Sequence, residues 1–272
     1  MNQTVLDFLK CPVCGASLQQ EDKVCRCTGE KIHCFDFAKS GYLNLSGPRG
    51  GEGDSKDAVR ARRLFLDGGY YQPLCDRVEE LLTAYGAASV LDAGCGEGYY
   101  TNRFAMQRDA VGIDLSRAGV EVASKRARAE GSRAGFAVAS LFTMPVADGA
   151  VDAVVNLFAP CAEEEFLRVL KPGGVLILVG AGERHLFGLK QVLYDDPYLN
   201  PGRADLPKTA EQLGMDRLTY TVTVEGQEHI QALFSMTPYY WRTSEADRAK
   251  LNGLEELTTE VDFDIMIFRK GE

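Results

Sequence analysis

The sequence has no apolar run near the roughly 20 residues that a membrane-spanning helix requires. Its first residues, MNQTVLDFLKCPVC, have neither the basic start nor the apolar stretch of a secretory signal peptide. Internal repeats and low-complexity tracts are also absent. We therefore expect a cytoplasmic protein with no membrane partner.

Positive charge is in deficit, since 30 Lys and Arg stand against 39 Asp and Glu, a formal net charge of −9. Such a balance argues against a nucleic-acid partner, but the charge is unevenly distributed. Residues 1–63 carry ten cationic and eight anionic side chains, which leaves −11 for the remainder. A phosphate-binding surface is therefore expected in the N-terminal part, with Arg60, Arg62 and Arg63 as candidates. The alternative for these arginines is a solvated helix face.

Apolar strands and helical stretches alternate between residues 89 and 180, which indicates βαβ units and a parallel sheet. Two later strands favour closure of this sheet by an antiparallel edge strand. The prediction is an α/β fold with a seven-stranded, mostly parallel sheet. We expect strands at 89–93, 110–114, 135–139, 151–157, 174–180, 218–224 and 261–268, and helices at 99–107, 117–130, 162–170, 227–234 and 244–254.

The sharpest motif is the bend Asp92-Ala-Gly94-Cys-Gly96-Glu97-Gly, which follows an apolar strand and precedes a helix. Glycines let the backbone approach a ligand closely, and the helix start directs N–H groups toward it. Asp114 ends the next predicted strand, where a carboxylate can accept hydrogen bonds from ribose hydroxyls. The motif D-x-G-x-G-x-G with this acid predicts a nucleotide-like cofactor. NAD is the weaker alternative, because its sites favour G-x-G-x-x-G.

Five of the eight cysteines lie in the first 34 residues, and Cys11 and Cys14 form a C-x-x-C pair. Clustered cysteines in a reducing compartment indicate metal ligands, and this spacing is typical of structural zinc. A second pair of ligands is needed. We expect Cys27 and His33 to supply it, with Cys25 and Cys34 as rivals.

The glycine bend and the segment Leu170-Lys-Pro-Gly-Gly174 resemble class I, Rossmann-like S-adenosylmethionine-dependent methyltransferases. This resemblance implies that Gly94, Gly96 and Glu97 face the cofactor, with Ser140 and Leu141 near its adenine. A longer series of segments resembles the 23S rRNA (guanine-N1-)-methyltransferases of the RlmA type. It comprises residues 33–45, 61–74, 92–101, 158–161 and 236–242.

The second resemblance spans essentially the whole chain. It implies S-adenosylmethionine-dependent methylation of guanine N1 in a hairpin loop of 23S rRNA, with an N-terminal zinc ribbon that helps engage RNA. It also implies Zn²⁺ ligation by Cys11, Cys14, Cys27 and His33. Cofactor contacts would come from Tyr71, Gly96, Glu97 and His185. The family usually has three residues between the third cysteine and the histidine, whereas five separate Cys27 from His33 here.

The expected domains are a zinc ribbon at 1–46, a linker at 47–60 and the methyltransferase domain at 61–272. The expected RNA partner is 23S rRNA or a ribosomal precursor particle, and a homodimer is retained among the partners.

No residue stands out as the acceptor of the guanine N1 proton. Asn156 near the end of the fourth predicted strand and Phe158 just after it are candidates for holding the base. For Asn156, a role as a strand-end cap is an equal alternative. Two other functions are retained: a small-molecule methyltransferase with a structural zinc module, and a non-catalytic zinc-ribbon binding protein.

Overall fold

The computed structural model describes residue 1 and residues 3–47 and 53–271. Its helices are α1 (Gln3–Leu6), α2 (Lys56–Asp67), α3 (Gln72–Ala84), α4 (Tyr99–Phe104), α5 (Arg117–Glu130), α6 (Glu163–Val169), α7 (Phe187–Leu193), α8 (Gln227–Ser235) and α9 (Glu245–Ala249). Its strands are β1 (Leu18–Glu21), β2 (Val24–Cys27), β3 (Cys34–Asp36), β4 (Leu43–Asn44), β5 (Ser89–Ala93), β6 (Asp109–Asp114), β7 (Gly135–Val138), β8 (Val151–Leu157), β9 (Leu170–Ala181), β10 (Glu211–Glu225) and β11 (Glu256–Arg269).

The large sheet has the strand order β10-β11-β9-β8-β5-β6-β7-β4, and the pairs from β9 to β4 are parallel. All seven expected strands are present, and β4 adds an eighth from the N-terminal segment. The expectation of an antiparallel edge strand is wrong in detail. The reversed strand, β11, lies between β9 and β10, and β10 forms the edge. A long antiparallel pairing of β10 with β11 places the final strand inside the sheet.

Apolar side chains cover both faces of this sheet. Alternate residues of β9 point to opposite sides, so that Val175, Ile177 and Val179 join one core and Leu176 and Leu178 the other. The first core includes buried residues of α3, α4, α7 and α8, and the second includes those of α1 and α6. A parallel sheet is expected to have other elements packed on both of its faces.

The cysteine-rich segment forms a three-stranded antiparallel sheet, β1-β2-β3, that packs against the second core. Leu18, Cys25 and Cys27 are buried there with residues of the large sheet. The backbone N–H of Lys10 donates to the Pro145 carbonyl at 2.9 Å. With β4 paired to β7, the segment is joined to the large sheet by hydrogen bonds as well as by apolar packing.

Helix α2 begins at Lys56, inside the predicted linker at 47–60, where Ser55 caps it by accepting from the Ala58 N–H. Residues 48–52 of that linker lie outside the described residues. Within the described ranges, no helix has the length and apolar character needed to cross a membrane.

Candidate functional site

The glycine bend joins the carboxyl end of β5 to α4 at the middle of the sheet. Gly94 has φ +92°, and a Cβ built on it would lie 2.5 Å from the Ala159 Cβ and 3.8 Å from Leu141. Gly98 has φ +75° and lies against Ala123 in the same way. The bend is therefore closely lined by neighbouring loops, and only glycine fits at its first position.

Hydrogen bonds hold Asp114 at the end of β6 against the bend. One carboxylate oxygen accepts from the Gly96 N–H at 2.9 Å and the other from the Ser116 N–H at 2.6 Å. Asp92 accepts from the Thr101 hydroxyl at 2.5 Å. The structure thus gathers the two acids of the motif around the glycines.

Two carboxyl groups of the bend, those of Asp92 and Glu97, are buried, and Asp114 beside them is partly buried. Desolvation raises the pKa of Asp92 to about 7, with Asp114 and Glu97 adding to the effect, and burial raises the pKa values of Glu97 and Asp114. Asp92 and Glu97 are each 1% exposed, and each has one oxygen without a hydrogen-bond partner. Buried acceptors of this kind normally have a donor. The ammonium, sulfonium and ribose hydroxyls of S-adenosylmethionine would supply cations and donors, so the residues fit that cofactor.

A cavity of about 810 Å³ lies between the large sheet and the cysteine-rich segment, and its lining includes none of the glycine-bend residues. Leu115, which follows Asp114, and Ser140 line one side. Cys11, Pro12 and Gly15 line the other. Of the two predicted adenine neighbours, Ser140 borders this cavity, whereas Leu141 lies 3.8 Å from the Cβ position of Gly94.

An aromatic cluster lies where the end of β8 meets the middle of β11. The Tyr71 hydroxyl is 3.1 Å from His185 Nε2, and the Tyr71 ring packs edge-on against Phe263 at 4.9 Å between centroids. Phe158 stacks on His185 at 6.1 Å and is 47% exposed, while Tyr71 is 4% exposed. Phe158 has φ +55°, which is unusual for a bulky residue and turns its ring out of the core.

The hydrogen bonds of His185 fix its tautomer. The Asp262 N–H donates to Nδ1 at 3.3 Å, so the ring proton lies on Nε2 and is donated to Tyr71. Burial lowers the pKa of His185 to about 4, so the ring is neutral at neutral pH. The Tyr71 hydroxyl can then donate its own proton to a ligand. This support comes from a backbone N–H, so the residue type at position 262 gave no sequence signal of it.

Asn156 is fully buried and its side chain is engaged within the protein. Its amide nitrogen donates to the Ala93 and Pro160 carbonyls at 2.9 and 3.3 Å, and its oxygen accepts from Arg203 at 2.9 Å. Arg203 also donates to the Ala159 carbonyl and so braces the loop that contacts Gly94. Sequence reasoning missed Arg203, because no motif surrounds it.

The predicted metal ligands converge. The ligand atoms of Cys11, Cys14, Cys27 and His33 all lie within 4.8 Å of one another. Tetrahedral zinc with Zn–S bonds of about 2.3 Å separates its sulfur ligands by roughly 3.8 Å. The Cys14 and Cys27 sulfurs are 3.7 Å apart, and His33 Nδ1 is 3.5 Å from the Cys27 sulfur. This Cys₃His set matches a structural zinc site.

The two rival cysteines lie outside this group. Cys25 is buried in the second core, where desolvation raises the pKa of its thiol to about 11, and Cys34 is exposed. In contrast, the backbone N–H of His33 donates to the Cys27 sulfur at 3.1 Å and lowers the pKa of that thiol to about 6. Hydrogen bonding therefore favours Cys27 as the thiolate.

The three arginines of α2 separate into two environments. Arg62 points toward the glycine bend, where it contacts Gly96 and pairs with Asp54 at 2.5 Å, so it does not join a phosphate-binding face. Arg60 and Arg63 line an outer groove of about 330 Å³ between α2 and α5, together with Lys56 and Lys125. The two helices carry eight Lys and Arg and four Asp and Glu.

Comparison with known proteins gives two family matches. Residues 9–46 match a family described as "RlmA, N-terminal", a zinc ribbon, and residues 90–174 match one described as "Methyltransferase domain". Among solved structures, a provisionally named sarcosine dimethylglycine methyltransferase from Galdieria sulphuraria superposes with a TM-score of 0.51 at 14% identity. It covers 79% of this chain and 98% of the other. This similarity shows the fold alone.

Two relatives match over nearly the full length. The 23S rRNA (guanine(748)-N(1))-methyltransferase of Streptomyces fradiae is 33% identical, over 97% of this chain and 98% of that protein. YxjB of Bacillus subtilis, provisionally named a 23S rRNA (guanine-N(1)-)-methyltransferase, is 31% identical over 99% and 100% of the two chains. The chain therefore belongs to the 23S rRNA (guanine-N1-)-methyltransferase family.

Proposed function

We propose that the protein transfers a methyl group from S-adenosylmethionine to N1 of a guanine in a hairpin loop of 23S rRNA. The observation that carries this proposal is the position of an exposed aromatic ring, Phe158, next to a closely lined, acid-rich glycine bend. A bend of this kind suits the cofactor, and an exposed ring beside it suits an extruded base.

The cofactor site is assigned to the bend and the neighbouring loops. Its residues are Tyr71, Asp92, Gly94, Gly96, Glu97, Asp114, Ser140, Leu141 and His185. When bound, S-adenosylmethionine supplies an activated methyl group on sulfonium. The protein's contribution is alignment: the bend would hold the amino-acid and ribose ends of the cofactor, and His185 orients Tyr71.

Phe158 is the proposed contact for the guanine. We do not retain Asn156 in this role, because its polar atoms are already bonded within the protein. Methylation forms an N1–carbon bond, breaks the sulfur–carbon bond and releases the N1 proton. His185 is not the acceptor of that proton, since its free nitrogen already accepts from Asp262.

Zn²⁺ is assigned to Cys11, Cys14, Cys27 and His33, where it would hold the cysteine-rich segment in place. The groove formed by Lys56, Arg60, Arg63 and Lys125 is assigned to RNA phosphates. Its ion pairs, such as Lys125 with Glu121 at 2.7 Å, are exposed and contribute little, so phosphates can replace them at small cost. An rRNA substrate also agrees with the predicted cytoplasmic location.

The test is methyl transfer from labelled S-adenosylmethionine to 23S rRNA, followed by primer extension. N1 methylation blocks the Watson–Crick edge of guanine, so a single reverse-transcription stop should appear. Free rRNA and ribosomal precursor particles are assayed side by side to distinguish these substrates, and sedimentation tests the predicted homodimer. Label incorporated into a metabolite extract but not into RNA would favour a small-molecule methyltransferase. Absence of S-adenosylhomocysteine binding would favour a non-catalytic binding protein.

Phe158→Ala is the matched variant. Base–aromatic stacking contributes about 1–3 kcal/mol, so methylation should fall roughly 5- to 150-fold. Affinity for S-adenosylhomocysteine should change little, and Phe158→Tyr should retain activity. If Phe158→Ala methylates rRNA at the wild-type rate, the Phe158 ring is not part of the proposed guanine site.

A further inference from the structure

Arg62 lies at the glycine bend with a guanidinium that faces carboxylates. Its Nη1 is 3.4 Å from the position of a Cβ on Gly96, and Glu97 and Asp114 both act on it electrostatically. The side chain is 28% exposed. The sequence gives Arg62 no role beyond that of its neighbours on α2, but the fold separates it from them.

Arg62 forms an ion pair with a carboxylate of the protein, that of Asp54. Asp54 Oδ2 is 2.5 Å from Arg62 Nη2, and the Asp54 backbone carbonyl accepts from the Ser116 hydroxyl at 2.8 Å. Gly53 packs directly on the Ser116 backbone. The segment 53–55 therefore lies against the residues that follow Asp114, the proposed ribose-binding acid.

The charges of this region indicate that a carboxylate of the cofactor can replace Asp54 as the partner of Arg62. Asp54 is half-exposed, so its pairing with Arg62 is replaceable. The amino-acid end of the cofactor bears a carboxylate that needs a cation, and an ammonium that suits the unpaired oxygens of Asp92 and Glu97. Arg62 offers the fork geometry that binds a carboxylate with two parallel hydrogen bonds.

We propose that Arg62 anchors the α-carboxylate of the cofactor and that Asp54 occupies this position when the cofactor is absent. Cofactor binding then replaces one carboxylate by another on the same guanidinium and frees Asp54 from Arg62. This inference rests on the proposed cofactor site at the glycine bend.

The experiment compares two ligands by calorimetry without RNA: S-adenosylhomocysteine, and S-adenosyl-3-thiopropylamine, which keeps the amine and lacks the carboxylate. Arg62→Gln should weaken S-adenosylhomocysteine about 10- to 100-fold, because a charge-assisted bidentate pair is lost, and should leave the amine ligand nearly unchanged. Arg62→Lys, which keeps the charge but not the fork, should be intermediate. Arg103→Gln removes an exposed arginine of α4 as the matched control, and both affinities should stay at wild-type values.

Asp54→Asn tests the exchange. It removes the competing carboxylate and leaves the Ser55 cap, so S-adenosylhomocysteine should bind about 3- to 10-fold more tightly. If Arg62→Gln loses affinity for both ligands equally and its thermal unfolding is unchanged, Arg62 does not anchor the cofactor carboxylate. Unchanged or weaker binding by Asp54→Asn would overturn the exchange. Failure of the wild-type protein to bind S-adenosylhomocysteine would instead refute the cofactor site itself.

Discussion

Gly94→Ala is the most direct test of the glycine bend. The substitution places a methyl group 2.5 Å from the Ala159 Cβ on a backbone with φ +92°. The left-handed conformation costs a non-glycine residue about 1–2 kcal/mol, and overpacking costs about 1–3 kcal/mol. We therefore expect the free energy of unfolding to fall by roughly 2–5 kcal/mol, and S-adenosylhomocysteine to bind more weakly because the bend must shift.

Urea unfolding separates the two contributions when a second glycine is compared. Gly149 also has positive φ, +59°, but a Cβ there would have nothing within 4 Å, so Gly149→Ala should lose only about 1–2 kcal/mol. Adding Ala159→Gly to Gly94→Ala should restore the steric part, about 1–3 kcal/mol, and leave the backbone part. If Gly94→Ala is no less stable than Gly149→Ala and binds S-adenosylhomocysteine with wild-type affinity, the close lining of the bend plays no part in cofactor binding.

Three further predictions concern the metal, the buried acid and the tyrosine. Cys14→Ser should reduce bound zinc from one ion per chain toward none in metal analysis after dialysis, whereas Cys34→Ser, outside the cluster, should keep it; equal retention by both would refute the ligand set. Burial holds the pKa of Asp92 near 7, above its ordinary value of 3.8, so the folded state binds this proton more tightly than the unfolded chain. The associated stability is full below about pH 4 and is lost as the pH rises through 7. Asp92→Asn should flatten this part of the pH profile in urea unfolding, and an unchanged slope would assign it to other groups. Tyr71→Phe keeps the ring packing and removes the hydroxyl, so S-adenosylhomocysteine should bind about 5-fold more weakly, at about 1 kcal/mol per hydrogen bond. Because the buried Nε2–H of His185 loses its acceptor, the free energy of unfolding should also fall by about 1–3 kcal/mol. Unaltered affinity would exclude the hydroxyl as a contact.

The elements from β5 to β9 were predictable because their signals are local. Each strand is a short apolar run, and α5 was expected at its observed bounds, Arg117–Glu130, where Ser116 and Gly131 cap it. The order of the last two strands was not predictable in the same way. Strand pairing joins residues far apart in sequence, and the register of β10 with β11 depends on contacts that no window of sequence contains.

The cysteines illustrate the same division within one strand. Cys25 and Cys27 are two residues apart on β2, and both are buried. Spacing alone left both as candidate ligands. Cys27 lies at the strand end, within 3.5 Å of His33, whereas Cys25 packs among apolar side chains of the large sheet.

The sequence by itself determined the acid–glycine bend and the cysteine pair, because a tight turn and a C-x-x-C knuckle are formed by residues next to one another in the chain. Only the tertiary structure decided the direction of Arg62, the support of His185 by Asp262 and the enclosure of Asn156. Each of these depends on which face of an element meets a distant segment, and that choice is made by the packing of the whole core.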